Sequence, residues 1–402
     1  MDYHHFYSHI AKSARPSPVR EILKVLDKEN MISFAGGMPD PNVFPIEEFA
    51  QGSEVLKTKG AQILQYSITE GNPQLREFIA SWSAPRMGGA VSNDQIMITS
   101  GSQQIIDLLC WSIIDPQDIV ITEDPTYLAA LNVFSNHQVQ IQTVDTDKHG
   151  IKIDDLESTL QTLKKNGKSP KLLYSIVNFQ NPSGIVISEE RRQKIAKLAD
   201  EYDFLILEDD PYGYLRYEGE HLRSIYSYNN NRVIYAGSFS KILSPAVRIG
   251  WAIGAKEIIR QMIIFKQSVD ICPSAITQEL VLEYCKKGYL ESHLPKILAL
   301  YKAKRDVMQQ SFESDLAPLK VKWNTPKGGF FFWLDLEDTH INADTLTQKA
   351  LQNNLAVIPA KPFCVNQNNS ARFIRCNFSY PSTEIIQEGS RRIAQSIQEL
   401  LC

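Results

Sequence analysis

The sequence of 402 residues lacks several features that define whole classes of protein. It has no run of about 18 apolar residues, so no transmembrane helix is expected, and its N-terminus has no apolar core of a secretory signal. Its six cysteines are scattered without a C-x-x-C pair, which argues against a zinc site or a disulfide framework. With 42 Lys and Arg against 46 Asp and Glu, the net charge of −4 gives no general attraction to nucleic acid or an anionic membrane. We therefore expect a cytoplasmic protein with reduced cysteines and no metal, which binds neither nucleic acid nor membrane.

What the sequence does contain is an apolar content of 43%, enough for a core of ordinary size, and a regular alternation of elements between residues 94 and 254. Amphipathic stretches of helical length alternate with short β-rich runs, among them QIMIT, DIVITE, KLLYSIV, FLILED and RVIYAG. Such alternation predicts an α/β layer with a mostly parallel sheet.

The chain beyond residue 294 has a different pattern. A long basic helix candidate leads into the strand candidates LKVKW, GGFFFWLDL, LAVIPA and RFIRCNFS and into a final helix. This order predicts a smaller α+β domain. The first segment, rich in Pro and Gly, is predicted to be an ordered arm that completes it. We therefore expect an arm at 1–45, a large domain at 46–294 and a small domain at 295–402.

Ligands of parallel sheets bind beyond the carboxyl ends of the strands, and the most informative such place follows RVIYAG. There the chain reads Ser238-Phe239-Ser240-Lys241, with Arg248 seven residues after the lysine. Two hydroxyls and a guanidinium fork suit a phosphate dianion, which leaves the lysine free to form an imine with an aldehyde. A lone lysine in a Ser-rich turn is usually a surface residue, but this combination favours a ligand site.

Two further strand ends carry polar groups of suitable chemistry. Ser102 and Gln103 lie between QIMIT and its helix, where N-terminal N–H groups can bind an anion, although a plain N-cap looks the same. Asp209 and Tyr212 follow FLILED, where a carboxylate can pair with a cationic ring nitrogen and a tyrosine can bond a ring oxygen. Metal binding is the alternative at an acidic strand end, but no second cluster of ligands supports it.

The remaining candidates are weaker by themselves. Asn181, in the turn sequence NPSG, can share a ring oxygen with Tyr212. Tyr127, in EDPTY, can stack on a ligand ring or belong to the core. Arg372 and Arg375, in RFIRCNFS, lie on opposite faces of a strand. One of them is a candidate clamp for a carboxylate, although a surface arginine would look the same.

Taken together, these motifs resemble the fold-type I aminotransferases of class I/II, which depend on pyridoxal 5′-phosphate (PLP). The resemblance covers nearly the whole chain, because GSQQ, DPTY, NPSG, EDDPY, SFSK and RCNFS follow one another in the family's order. SARPSPVR, ISFAGGMPDPNVFP and LQYSITEGNPQLREFI resemble the 2-aminoadipate/kynurenine aminotransferase branch. The resemblance implies a large domain with a mostly parallel seven-stranded sheet flanked by helices, and a smaller α+β domain.

The resemblance also implies roles for the candidate residues. Lys241 would carry PLP covalently, Asp209 would pair with the pyridine nitrogen, and Tyr127 would stack on the ring. Asn181 and Tyr212 would contact the ring oxygen. The phosphate would be held by Ser102, Gln103, Ser238, Ser240 and Arg248, with Tyr66 of the partner subunit in a homodimer that shares its active sites.

For the substrate, the resemblance implies that Arg375, assisted by Asn181, clamps the α-carboxylate, and that Arg20 and Gly37 lie near the side chain. The chain departs from the family's pattern at three positions: Ser183 replaces the usual Thr, Gln180 replaces a smaller polar residue, and Ala360 replaces Gly. The loop that holds Ala360 passes near the substrate in relatives, so it bears on substrate preference.

The expected function is therefore transfer of the amino group of an L-amino acid to a 2-oxo acid by a ping-pong mechanism. The donor would be 2-aminoadipate, an aromatic or kynurenine-like amino acid, or a broad range of these, and the acceptor 2-oxoglutarate. Another PLP reaction, catalysed by a lyase, decarboxylase or oxidase, remains an alternative because the same lysine serves all of them. A different class is the aminotransferase-like domain of a bacterial transcription regulator. Such regulators carry an N-terminal winged-helix domain, whereas roughly 30 residues precede AGGMP here.

Overall fold

A computed structural model of the protein describes residues 3–13, 30–367 and 370–402. Its central element is a large sheet with the strand order β2-β9-β8-β7-β6-β3-β4-β5. These strands are β2 (Ile96–Thr99), β3 (Ile119–Asp124), β4 (Gln140–Asp147), β5 (Gly150–Ile151), β6 (Pro170–Ile176), β7 (Leu205–Asp209), β8 (Val233–Ser238) and β9 (Gly250–Ile253). Strands β4, β3, β6, β7 and β8 are parallel to one another, while β9 is antiparallel to both of its neighbours. The predicted mostly parallel sheet is confirmed, with the two-residue β5 added at one edge.

The sheet is buried because helices cover both of its faces. Successive side chains of a strand point to opposite faces of the sheet, so Ile121 packs in one apolar cluster and Val120 in another. Helices α5 (Ser102–Ile113), α6 (Leu128–Asn136) and α9 (Lys256–Val269) cover the Val120 face. The opposite face is covered by helices that include α4 (Pro73–Met87), α7 (Ile153–Lys165), α8 (Glu189–Glu201) and α10 (Ala275–Lys286). The shorter α1 (His9–Ser13), α2 (Ile46–Gly52) and α3 (Val55–Ile63) precede them in the chain.

A second, antiparallel sheet forms in the C-terminal part of the chain, with the order β10-β11-β14-β13. Its strands are β10 (Lys322–Trp323), β11 (Phe331–Asp335), β13 (Ile358–Pro359) and β14 (Phe373–Asn377). Helices α11 (Tyr289–Asp315), α12 (Ala343–Gln352) and α13 (Thr383–Leu401) accompany it. This unit has the α+β composition that the sequence predicts.

Helix α11 runs without interruption through Pro295 and therefore through the predicted domain boundary. A proline inside a helix removes one hydrogen bond and crowds the preceding turn. The helix continues because Leu290, Ile297 and Tyr301 are buried on both sides of the proline.

The segment before α2 lies against the C-terminal unit. Strand β1 (Ile32–Ser33) pairs in parallel with β12 (Leu355–Ala356). Beyond β1, the amide of Asn377 donates to the carbonyl of Phe34 at 2.8 Å, and the Phe34 side chain is fully buried. Residues 35–40 then pass from this unit toward the carboxyl ends of the large sheet.

Within the part of the chain that the structure covers, no helix combines the length and apolar character that a membrane span requires. In the same part, no three His, Cys, Asp or Glu side chains come together as a metal site would need. All six cysteines are unpaired.

Candidate active site

Lys241 lies in the turn that follows β8, beside two buried serines. The hydroxyl of Ser238, the last residue of β8, accepts a hydrogen bond from the amide of Ser240 at 3.1 Å. The Lys241 ammonium donates to the carbonyl of Gly37 at 2.9 Å. The turn therefore presents two hydroxyls and one amine at the carboxyl end of the sheet, as the sequence predicts.

The surroundings of Lys241 shift its amine toward the neutral form. Burial, together with the nearby cations Arg248 and Arg375, lowers the pKa of Lys241 to about 8. An ordinary lysine has a pKa of about 10.4 and is almost entirely protonated at neutral pH. A larger fraction of Lys241 is therefore available as a nucleophile or a base.

Arg248 lies across the start of α5, where its guanidinium donates to the carbonyl of Ser100 at 3.0 Å. The loop needs glycine at 101, because Gly101 has φ of +83° and a Cβ there would come within 2.2 Å of the arginine. Ser102 is the first residue of α5, and the Gln103 amide donates to the carbonyl of Ala129 at 3.3 Å. Among the residues placed by the structure, no carboxylate forms an ion pair with Arg248, so its charge is free for an anion at this helix N-terminus.

An ion pair between the buried Lys266 and the partly exposed Asp270 supports this loop. The Lys266 ammonium has no exposed surface and bonds both carboxylate oxygens of Asp270, at 2.5 and 2.7 Å. The same carboxylate accepts from the Ser100 hydroxyl at 3.1 Å and from the Gln104 amide at 2.9 Å. The loop that touches Arg248 is thus held by a charge pair on α9, which sequence reasoning missed because the two stretches are distant in the chain.

Asp209, the last residue of β7, is 3% exposed and has one oxygen without a partner. Its Oδ2 accepts a hydrogen bond from the Tyr174 hydroxyl at 2.7 Å, whereas Oδ1 has none. Burial and the nearby Asp210, opposed by the hydrogen bond from Tyr174, together raise the pKa of Asp209 to about 7. A buried, unpaired carboxylate oxygen is a suitable acceptor for a cationic ring N–H, so the residue fits the pyridinium of PLP. Tyr174 was not among the sequence candidates.

Tyr212, which follows β7, lies near Tyr127 and Arg375. Tyr212 is 4% exposed, and its ring meets those of Phe330 and Phe331 edge-on, with centroids 5.6 and 5.8 Å away. Burial raises the pKa of Tyr212, Tyr127 raises it further, and the Arg375 cation lowers it. The two tyrosines and the arginine are therefore close enough to share one ligand.

Arg375 is the arginine of RFIRCNFS that points inward. Its guanidinium lies between the rings of Phe331 and Phe363, 4.3 and 4.9 Å from their centroids. It donates to Asn181 Oδ1 and to the carbonyl of Ala35, both at 2.6 Å, and its Nε has no partner. No ion pair to a carboxylate is found for it among the described residues, and burial lowers its pKa to about 10. A buried cation without an anion fits a carboxylate ligand.

Arg372, the residue just before β14, points to the opposite side from Arg375 and already has anionic partners. It pairs with Asp335 and, at 2.8 Å, with Glu337. The alternation of a strand therefore separates a structural arginine from a candidate ligand-binding one.

Three candidates remain. A Cβ on Gly37 would come within 3.1 Å of Phe331, so the backbone lies close to the ring beneath Arg375. Tyr66 follows α3 and is 78% exposed in the single chain. Arg20 lies outside the described residues.

Sequence reasoning also missed a buried carboxylate behind the NPSG turn. Glu123 of β3 accepts from the Gln180 amide at 2.6 Å and from the Ser175 hydroxyl at 2.8 Å, and burial raises its pKa to about 7. The Ser183 hydroxyl donates to the side-chain amide oxygen Oε1 of Gln180. Two of the departures from the family pattern are therefore joined in one network. The available signal was a glutamate that directly continues the β-rich run IVIT.

Comparison with known proteins places this geometry in context. Residues 30–393 match the family model described as aminotransferase class I and II. The aromatic-amino-acid aminotransferase 1 of Thermococcus litoralis is 41% identical over 401 residues, which cover 99% of this chain and 95% of that protein. The 2-aminoadipate transaminase of Thermus thermophilus is 33% identical over 390 residues, 96% of this chain and 94% of that protein. The crystal structure of Pyrococcus horikoshii kynurenine aminotransferase, in complex with PMP, KYN as substrate and KYA as product, superimposes with a TM-score of 0.95. That comparison has 41% identity and covers 100% of this chain and 99% of the other.

Proposed function

Because the chain belongs to the class I and II aminotransferases, which depend on PLP, we propose that it moves the amino group of an L-amino acid to 2-oxoglutarate. One observation carries this proposal. The backbone carbonyls of Ala35 and Gly37, two residues apart, accept hydrogen bonds from Arg375 and Lys241. An α-amino acid carries its amino group and its carboxylate on one carbon. Its carboxylate can therefore bind the Arg375 guanidinium while its amino-bearing carbon lies near the Lys241 amine.

We assign the cofactor contacts as follows. Asp209 would pair with the pyridine nitrogen through its unpartnered Oδ1, Tyr212 and Asn181 would contact the ring oxygen, and Tyr127 would stack on the ring. The N-terminus of α5 would hold the phosphate, with contacts from Ser102, Gln103, Ser238, Ser240 and Arg248. When bound, PLP supplies an aldehyde carbon and an electron-withdrawing ring.

The protein's own groups bind the substrate and move its proton. The Arg375 guanidinium binds the α-carboxylate, and the rings of Phe331 and Phe363 shield it from water. Lys241, as a neutral amine, removes the proton from the substrate's Cα and returns it later, for which a pKa of about 8 is suitable. Donor and acceptor use the same groups in turn, so the kinetics are ping-pong.

The names of the relatives support the choice of donor. An aromatic amino-acid aminotransferase, a 2-aminoadipate transaminase and a kynurenine aminotransferase are all similar to this chain over nearly its whole length. We propose donors of these classes, with Gly37 and Arg20 near the substrate side chain.

We also propose a homodimer with shared sites, in which Tyr66 of the partner subunit reaches the phosphate. The 78% exposure of Tyr66 in one chain supports this assembly. The contact of β1 with β12 supports an arm at 1–45 that associates with the small domain at 295–402, next to a large domain at 46–294. The unpaired cysteines support a cytoplasmic location.

The test is a panel of donors with purified PLP-loaded protein and 2-oxoglutarate, with glutamate as the measured product. We expect glutamate from phenylalanine, kynurenine or 2-aminoadipate. No glutamate from any donor would refute the proposal, and release of CO₂, ammonia or H₂O₂ would indicate a decarboxylase, lyase or oxidase.

A matched pair of variants tests the carboxylate clamp. Arg375→Ala removes a charge-assisted contact worth about 1.5–3 kcal/mol and should raise KM for the amino acid roughly 10- to 100-fold. Arg372→Ala, on the other face of the same strand, should leave KM within about threefold of the wild-type value. Equal effects of the two substitutions would contradict the assignment.

A further inference from the structure

Residues 35–40, which we call the carbonyl segment, contact the active site although they belong to no helix or strand. The carbonyl of Ala35 accepts from Arg375 at 2.6 Å, and that of Gly36 accepts from the same guanidinium at 3.4 Å. The carbonyl of Gly37 accepts from Lys241 at 2.9 Å. The orientation of both active-site cations therefore depends on what fixes this segment.

Its first end is fixed by the backbone. The carbonyl of Phe34, just before the segment, accepts from the amide of Asn377 at 2.8 Å. Asn377 is the last residue of β14, the strand that carries Arg375. The segment and the arginine thus share one anchor at this end.

Its second end is fixed by a buried ion pair. Asp40 and Lys304 are each 4% exposed, and the Lys304 ammonium lies 2.5 Å from Asp40 Oδ2. The Tyr301 hydroxyl, one turn earlier on α11, accepts from the amide of Asp40 at 3.1 Å. A buried pair of this kind contributes little net stability but strongly resists rearrangement, because separating the charges leaves them unpaired in a dry environment.

The same lysine joins this end to the strand of Arg375. The Lys304 ammonium also donates to the carbonyl of Ser379 at 2.9 Å, and the Ser379 hydroxyl donates to the carbonyl of Met38 at 2.7 Å. Ser379 lies two residues beyond β14. Lys304 therefore holds the carbonyl segment and the end of β14 in one fixed relation.

We propose that the Asp40–Lys304 ion pair, with Tyr301, positions the carbonyl segment so that Arg375 is oriented to receive a substrate carboxylate. Asp40, Lys304 and Tyr301 are positioning residues, because they reach the substrate only through the segment. This inference rests on the proposed role of Arg375. If the pair served stability alone, breaking it would lower the melting temperature without a selective effect on carboxylate binding.

The experiment uses the PLP-loaded protein and two unreactive probes, 3-phenylpropionate and its neutral analogue 3-phenylpropanamide. Isothermal titration calorimetry measures the affinity of each probe for the wild type and for Lys304→Met, Arg372→Met and Arg375→Ala. Arg372→Met is the matched control, because it removes an ion pair from the same unit without touching the carbonyl segment. Tyr301→Phe is the milder variant, since it loses the bond to Asp40 and keeps the ring.

We expect Lys304→Met to weaken carboxylate binding about tenfold, equivalent to about 1.4 kcal/mol. Binding of the amide and all binding to Arg372→Met should stay within about twofold of the wild-type values. If Lys304→Met does not fold, Tyr301→Phe should weaken carboxylate binding about threefold.

Two outcomes would overturn the inference while the proposed function stands. One is that Arg375→Ala weakens carboxylate binding but Lys304→Met, or Tyr301→Phe in its place, does not. The other is an equal loss with Arg372→Met, which would show general loosening of the unit. If Arg375→Ala leaves carboxylate binding unchanged, or the wild type binds neither probe, the proposed clamp itself is wrong and the inference falls with it.

Discussion

The substitution Asp209→Asn tests the cofactor assignment most directly. The carboxylate is buried, with Oδ1 unpartnered and Oδ2 bonded to Tyr174. Its pKa rises from the usual 3.8 to about 7. One pKa unit corresponds to about 1.4 kcal/mol, so without a cationic partner the ionised form of Asp209 is about 4 kcal/mol less favourable here than it is for an ordinary aspartate in water. A ring cation beside Oδ1 would offset most of that cost, and the carboxylate would in turn stabilise the ring cation. The neutral amide of the Asp209→Asn variant cannot stabilise the ring cation in this way.

The expected loss is therefore two to three orders of magnitude in the half-reaction with the amino donor, similar to the loss of one preorganised electrostatic contact. The measurement is a single-turnover stopped-flow experiment that follows the PLP absorption band after mixing with donor. Saturating PLP separates the chemical step from weaker cofactor binding.

Asp210→Asn is the control, because Asp210 is also buried but has its oxygens occupied by Arg86, Asn178 and Tyr235. It should lower stability and leave the half-reaction within about tenfold of the wild type. The reasoning is refuted if Asp209→Asn keeps its rate within about tenfold of wild type, or if both substitutions slow the half-reaction equally.

Four further predictions follow from the site. Borohydride should fix PLP to Lys241, and Lys241→Ala should lose the adduct and nearly all turnover; fixation to another lysine would contradict the assignment. In the apoprotein, the rate of PLP attachment should rise with pH to half its maximum near pH 8, because the reactive amine of Lys241 is the form above that pKa. Arg375→Ala should move this midpoint to higher pH, because it removes a cation that lowers the pKa of Lys241. A rate of PLP attachment that does not change between pH 6 and 10 would contradict the lowered pKa of Lys241. If Tyr66 serves the neighbouring site, mixing inactive Tyr66→Ala and Lys241→Ala protein should restore about one quarter of wild-type activity, one intact site in each mixed dimer; a fully active monomer would rule this out. Arg20→Ala should lower kcat/KM for 2-aminoadipate more than for leucine, by roughly 1–3 kcal/mol, if this arginine binds the distal carboxylate; equal losses would make it structural.

The features that could be predicted from the sequence are those that short stretches encode. The turn Ser238–Lys241 follows its strand directly, so a local motif was enough to place the hydroxyls and the amine at one sheet edge. The alternation of apolar strands and helices likewise indicated the mostly parallel sheet. The prediction that Lys241 belongs to a ligand site needs no knowledge of distant contacts.

The rest depends on contacts between residues far apart in the chain. Tyr174 meets Asp209 only because β6 and β7 pair in a particular register. Asp40 and Lys304 are separated by 264 positions. Strand alternation placed Arg372 and Arg375 on opposite faces, but which face was inward depended on the aromatic rings that cover one of them.

The uninterrupted helix α11 has a consequence for protein engineering and for the evolution of the family by recombination. At 27 residues and about 1.5 Å per residue it is a rod of about 40 Å. A chimera joined at residues 294 and 295 would place the crossover inside this rod, within its first two turns, where the two parental sequences must continue one buried stripe. A crossover can instead be placed at Gly288, the left-handed residue just before the helix, or beyond Asp315, where the helix ends. Either crossover leaves the whole helix to one parent. Exchange at these two points should therefore give more folded chimeras than exchange at Pro295.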